Sequence, residues 1–151
     1  MPAAATALLC LVVAIADGDT LTARCGTPGA YRQVHVRIAA IDAPERRQAY
    51  GQRARQHLAQ LCFRQQARIT PLDTDKYGRT VAQVRCQGMD VSTTQVRAGM
   101  AWAYTAYAHQ YPRLAAQTEA LEREARAHQR GLWAQPRPTP PWQYRHRYGT
   151  H

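Results

Sequence analysis

The chain has 151 residues, enough for one hydrophobic core and too few for several domains. Its 20 basic side chains outnumber 10 acidic ones, and a net charge of +10 points to a polyanionic partner, with nucleic acid ahead of acidic membrane or polysaccharide. Four cysteines, at positions 10, 25, 62 and 86, form no CxxC pair, which argues against a zinc site.

The first element is the apolar run Leu8–Ala16. Ala14-Ile15-Ala16 imitates a signal-peptidase site, but no Lys or Arg precedes Arg24, and a secretory leader needs a positive start. The run is also too short to span a bilayer, so it reads as a buried strand. Residues 1–7 are compatible with the remnant of a longer leader that begins upstream. Asp17-Gly18-Asp19-Thr20 then turns the chain, with Gly18 expected to supply a positive φ, and Leu21–Cys25 returns as the second strand. Cys10 and Cys25 lie almost symmetrically about this turn, so a cross-strand pair is favoured among the three possible connectivities. Cys62 and Cys86 remain to pair, and an even count so placed fits a secreted or periplasmic protein.

A turn at residues 26–29 leads to Tyr31–Ile41, where Val34, Val36 and Ile38 alternate with His35 and Arg37. Asp42-Ala43-Pro44-Glu45 ends that strand, because proline cannot continue it. Tyr50–Phe63 reads as a helix with Ala54, His57, Leu58, Leu61 and Cys62 on one stripe. Strands are predicted at Ala67–Leu72 and Thr80–Cys86, and helices at Val91–Ala98 and Arg113–Arg130, stopped by Gly99 and Gly131. From Ala134 onward the chain is rich in proline and arginine, carries no acid, and is expected to be extended. The division is therefore a domain of residues 1–134 and a tail of 135–151. Five short strands with a helix after the third predict a mostly β fold: an OB-type Greek-key barrel with three helices.

Three segments carry reactive side chains at strand ends or turns: Asp17–Thr20, Arg37–Glu45 and Asp75-Lys76-Tyr77-Gly78-Arg79. Taken singly, each has a plain structural role, such as a solvated turn or a surface ion pair. Together they supply carboxylates for a hard cation and two arginines for a phosphate. Phosphodiester cleavage needs those parts and a base for the attacking water. Ser92 lacks a nucleophile-elbow setting, and the six histidines show no HExxH spacing.

In these segments the chain resembles the thermonuclease family, typified by staphylococcal nuclease. The resemblance rests on DGDT at Asp17–Thr20, the Arg37–Glu45 segment, DKYGR at Asp75–Arg79, Gly99-Met100-Ala101-Trp102 and Gly131-Leu132-Trp133, all in family order from about Leu8 to Trp133. It implies a five-stranded OB barrel and Ca²⁺-dependent cleavage of DNA and RNA, with Mg²⁺ the less favoured metal. By matching position, Arg37, Glu45 and Arg79 are implied to be catalytic. Asp19, Asp42 and the Ala43 carbonyl are implied metal ligands, with Asp17 in support. The family's best-known member has Thr in place of Ala43 and a longer segment between Glu45 and Tyr50. Tyr77, Tyr104 and Tyr107 are candidate base-stacking residues, with helix packing an equal reading for the last two, and Lys76 is a candidate for a terminal phosphate. A monomer without membrane attachment is expected. The alternative from another class is a non-catalytic OB module that binds nucleic acid or protein.

Overall fold

The computed structural model describes residues 6–149, so residues 1–5 of the suggested leader remnant lie outside the described residues. The order of elements is β1 (Leu8–Asp17), β2 (Thr20–Cys25), β3 (Arg32–Ile38), β4 (Ile41–Asp42), α1 (Gly51–Cys62), β5 (Gln66–Thr74), β6 (Thr80–Cys86), β7 (Met89–Asp90), α2 (Val91–Arg97), β8 (Trp102–Ala103), α3 (Pro112–Ala127) and α4 (Pro141–Tyr148). Short 3₁₀ turns occupy Ala108–Gln110 and Gly131–Ala134.

The main sheet runs β3-β2-β1-β5-β6-β7, and β3 also pairs with β6, which closes five strands into the expected barrel. All neighbours are antiparallel except β3 and β6, which pair in parallel through Val36–Thr80, Arg37–Val81 and Ile38–Ala82. Alternation explains the inward faces: Leu21, Ala23, Val36, Ile38, Val84 and Ile69 are all fully buried. In β1, Cys10 and Val12 point inward but the next buried residue is Ile15, because the register shifts between Val12 and Ala14. That bulge shifts the inward face by one residue partway along the strand.

Helix α1 lays Ala54, Leu58, Leu61 and Cys62 against the barrel, while His57 sits at the margin and bonds Gln95. Helix α2 starts where Asp90 accepts the Thr93 N–H at 2.8 Å. Among the described residues no helix is long and apolar enough to cross a membrane. The cysteine pairs expected from sequence come to disulfide distance, with Sγ–Sγ separations of 2.07 Å for Cys10 and Cys25 and 2.19 Å for Cys62 and Cys86.

One expectation fails at the C-terminal end. The segment Pro141–Tyr148, expected to be extended, is helix α4. Proline at the first helical position has its φ already set for a helix and loses no needed N–H, so Pro141 starts the turn rather than preventing it. Tertiary contact then holds so short a helix: Trp142 packs edge-on against Trp102 with centroids 5.4 Å apart, and Gln48 Nε2 donates to the Thr139 carbonyl at 2.6 Å.

The two glycine motifs of the second half meet each other. A Cβ on Gly99 would lie 2.1 Å from the Arg130 carbonyl oxygen, and one on Gly131 would lie 2.3 Å from that of Gly99. Both residues also have positive φ, at 73° and 54°. This crossing lets Leu132 N–H donate to the Gly99 carbonyl and sets Trp133 against Trp102, centroids 4.5 Å apart. Gly99→Ala is expected to lower unfolding free energy by about 1–3 kcal/mol in a urea melt. An unchanged midpoint would show that the crossing yields without cost.

Candidate nuclease site

The barrel's pairings decide which of the predicted residues meet. Thr20 pairs with Arg37 across β2 and β3, so the Asp17–Thr20 turn lies beside the arginine. The parallel β3–β6 pairing sets Arg37 next to Val81, two residues beyond Arg79. The β4–β8 pair holds Asp42 opposite Trp102. Segments scattered along the chain thus share one cleft of about 580 Å³. Asp17, Asp19, Arg37, Asp42, Glu45, Lys76, Tyr77, Arg79, Tyr104 and Tyr107 all line it. Ala43 does not line it, and its N–H donates instead to Asp19 Oδ2 at 2.7 Å.

Gly18 does not have the positive φ that a hairpin glycine was expected to need. Its requirement is closeness: a Cβ there would lie 2.6 Å from Ala54 Cβ and 2.8 Å from Ala43 Cβ. The turn is pressed onto α1, and the buried Gln95 side chain donates to the Gly18 carbonyl at 2.7 Å and to that of Ala54 at 3.2 Å. Ser92, also buried, donates to the Ala39 carbonyl at 2.7 Å and steadies the end of β3.

Arg37 donates through Nη1 to the carbonyls of Ile38 and Ile41, both at 2.8 Å. Its guanidinium lies 3.6 Å from Asp19 and 3.6 Å from Asp42. Burial and the charge of Asp19 push the Asp17 carboxyl up to about 8. Burial also works against Asp19, but Arg37 and hydrogen bonds from Asp17, the Ala43 N–H and the Thr20 hydroxyl outweigh it and hold its carboxyl below the ordinary range. The neighbouring acids therefore divide in direction, the Asp17 carboxyl being raised and the Asp19 carboxyl lowered. Asp42 is fully buried, and that burial, with the charge of Asp19, raises its carboxyl despite hydrogen bonds from Arg145.

Glu45 sits in a tight turn. Its N–H donates to Gln48 Oε1 at 3.1 Å, its carbonyl accepts Gln48 N–H at 2.9 Å, and a Cβ on Gly51 would lie 1.9 Å from that carbonyl. Across the cleft, the Asp75–Arg79 segment is the hairpin loop of β5 and β6. Asp75 Oδ1 accepts the N–H groups of Tyr77 and Arg79, both at 2.9 Å, and Oδ2 accepts Arg79 Nε at 2.7 Å. Tyr77 is 72% exposed, beneath Lys76 and Arg79 at 5.2 and 5.5 Å from the ring centre. Tyr104 and Tyr107 lie outside any α-helix, and Tyr104 faces Trp142 at 5.9 Å.

Slight burial raises the Asp75 carboxyl, but the Arg79 and Tyr77 N–H groups and the Arg79 side chain together lower it. A carboxyl lowered by folding stabilises the loop above its unfolded pKa of about 3.9, and that support is lost as pH falls through the folded value. Carboxyl NMR is therefore expected to place the Asp75 midpoint below the ordinary aspartate range. A midpoint at or above that range would mean the Arg79 contact does not persist in solution.

Two polar side chains that line the cleft lie outside the segments singled out in the sequence. Tyr111, only 8% exposed, packs beneath the cleft against Ala39, Ala40 and Leu114. Arg145, from α4, bonds both Asp42 oxygens and one oxygen of Glu45. The spacing Pro141-Trp142 to Arg145, one helical turn after a proline start, is the only local signal for it.

The donor set fits a hard cation in kind. Asp17, Asp19, Asp42 and Glu45 offer only oxygens, the kind of donor a hard cation takes, and burial and the neighbouring Asp19 charge raise the Asp17 and Asp42 carboxyls. Among the described residues no three His, Cys, Asp or Glu side chains already converge as a metal cage.

Comparison with known proteins agrees with this arrangement. Residues 35–135 match the family model described as staphylococcal nuclease homologue. The chain is 40% identical to a micrococcal nuclease of Shigella flexneri over 143 residues, covering 89% of this chain and 78% of the relative. It is 41% identical to an uncharacterized endonuclease of Haemophilus influenzae over 136 residues, covering 90% and 72%. It is also 32% identical to a staphylococcal-like nuclease of Arabidopsis thaliana over 114 residues, 76% of this chain and 34% of the relative.

Proposed function

Because the chain belongs to the staphylococcal nuclease family, and is thereby an endonuclease of the hydrolase class, we propose that it cuts DNA and RNA with Ca²⁺ and leaves 3′-phosphate ends. The observation that carries this reading is the meeting of Arg37, Glu45 and Arg79 with the Asp19–Asp42 carboxylates in one cleft. Low sequence preference follows from lining groups that suit phosphates and base faces rather than base edges.

In this reading Asp19 and Asp42 hold Ca²⁺, with the Ala43 carbonyl as a further ligand and Asp17 in support. The chemistry Ca²⁺ supplies when bound is charge neutralisation at a nonbridging phosphate oxygen. Arg37, fixed by the Ile38 and Ile41 carbonyls, binds the same phosphate without having to reorganise. Arg79 contacts Asp75 through Nε rather than its terminal fork, and it turns that fork to the phosphate as negative charge develops. Glu45 orients a water in line with the 5′ oxygen and takes its proton. Tyr77, Tyr104 and Tyr107 stack bases, and Lys76 meets a terminal phosphate. Residues 1–134 make up the nuclease domain of this monomeric protein, with 135–151 appended. Two cysteine pairs at disulfide distance support a location outside the cytoplasm.

The test is incubation with plasmid and single-stranded DNA in Ca²⁺, Mg²⁺ or EDTA. Cleavage of both in Ca²⁺, abolished by EDTA, is expected. Cleavage in Mg²⁺ alone would refute the calcium assignment, and binding without cleavage in any metal would favour the non-catalytic module.

A further inference from the structure

Arg145 enters the acidic cluster on its Asp42 and Glu45 side. Nη1 and Nη2 donate to Asp42 Oδ1 and Oδ2 at 2.9 and 2.7 Å, and Nη1 also donates to Glu45 Oε1 at 2.9 Å. Both Asp42 oxygens, in a fully buried side chain, are thus taken by one guanidinium. Arg37 stays 3.6 Å from the same carboxylate, so Arg145 is its closest cationic partner. A bidentate charge-assisted pair is among the stronger polar contacts a protein makes.

The element that delivers this arginine is weakly held elsewhere. Helix α4 has eight residues, no side-chain cap, and Pro141 as its one buried residue. Beyond Arg145, its anchors are the Trp142 ring, itself 38% exposed, and the preceding Thr139 carbonyl. It carries His146 and Arg147 and no acid, so a polyanion favours its release.

We propose that α4 is a self-inhibitory plug: Arg145 is the resident counter-ion of Asp42 and Glu45, and it must leave before a divalent cation and a nucleic acid phosphate can occupy the cleft. The proposal rests on the metal-site reading above. An occupied site lowers apparent metal affinity by the fraction of molecules that are open. The freed Arg145 and Arg147 then meet the phosphates of the substrate.

The test is calorimetric titration of Ca²⁺ into the full-length protein, Arg145→Gln and Trp142→Ala, with amide exchange followed over residues 141–148. Trp142→Ala loosens the helix without leaving Asp42 uncompensated, so it covers the case in which Arg145→Gln fails to fold. The expected result is binding about tenfold tighter or more in both variants, and faster exchange of α4 in the unmodified protein once Ca²⁺ is bound. Equal affinities with α4 still protected would overturn the plug and leave the metal site standing. No binding of Ca²⁺, Mg²⁺ or Mn²⁺ by any of the three would overturn both.

Discussion

The expected result for Glu45→Gln is a folded barrel that cuts DNA about 10²–10⁴-fold more slowly, the usual contribution of a positioned general base. Folding should survive because, among the described residues, the Glu45 side chain bonds only Arg145, and glutamine still offers that arginine an oxygen. The turn itself is held by backbone groups and Gln48. Arg79→Ala is expected to cost a similar amount, about 10²–10³-fold, by removing a donor aimed at developing charge. Asp75 still accepts the Tyr77 and Arg79 backbone N–H groups, so the loop keeps its shape without that side chain. Arg79→Lys keeps the charge and loses the fork, and should recover only part of the rate. Single-turnover rates at saturating Ca²⁺, with circular dichroism on each variant, decide the matter. Near-native rates in Glu45→Gln or Arg79→Ala would show the role assignment to be wrong.

Reduction should have the largest effect on stability. Cys10 and Cys25 are 15 residues apart and stand at disulfide distance between β1 and β2. Cys62 and Cys86 are 24 apart and stand at disulfide distance between the end of α1 and the end of β6. Cross-links closing loops of this length stabilise by about 3 kcal/mol each. A single domain has only about 5–15 kcal/mol in total, so losing both removes much of the margin. Urea unfolding with and without a reductant should show the midpoint fall sharply. The unfolded, unreduced protein should titrate no free thiol; a count of all 4 cysteines as thiols would refute both bonds.

The barrel was legible in the sequence because its signals are local. Alternation at Val36 and Ile38, the turn at Asp17–Thr20 and the stop at Pro44 each act over a few residues. The bulge in β1 and the greater length of β5, which runs to Thr74, were not legible, since both depend on the neighbouring strand. Gly18 was singled out for the wrong reason: its need for space comes from Ala54 on another element, and no local pattern records that.

The family, the mixed strand-and-helix order and the identity of the reactive side chains can be read from the chain alone. These reside in short motifs whose spacing survives without coordinates. How those groups stand to one another depends on the fold. The parallel closure of β3 on β6 brings Arg37 toward Arg79, and the seating of α4 carries Arg145 onto Asp42, 103 positions away. Such contacts depend on burial and charge shared between distant segments. An eight-residue helix without a cap or an apolar stripe is stable only where something receives it. Trp102 and the buried acids receive it here.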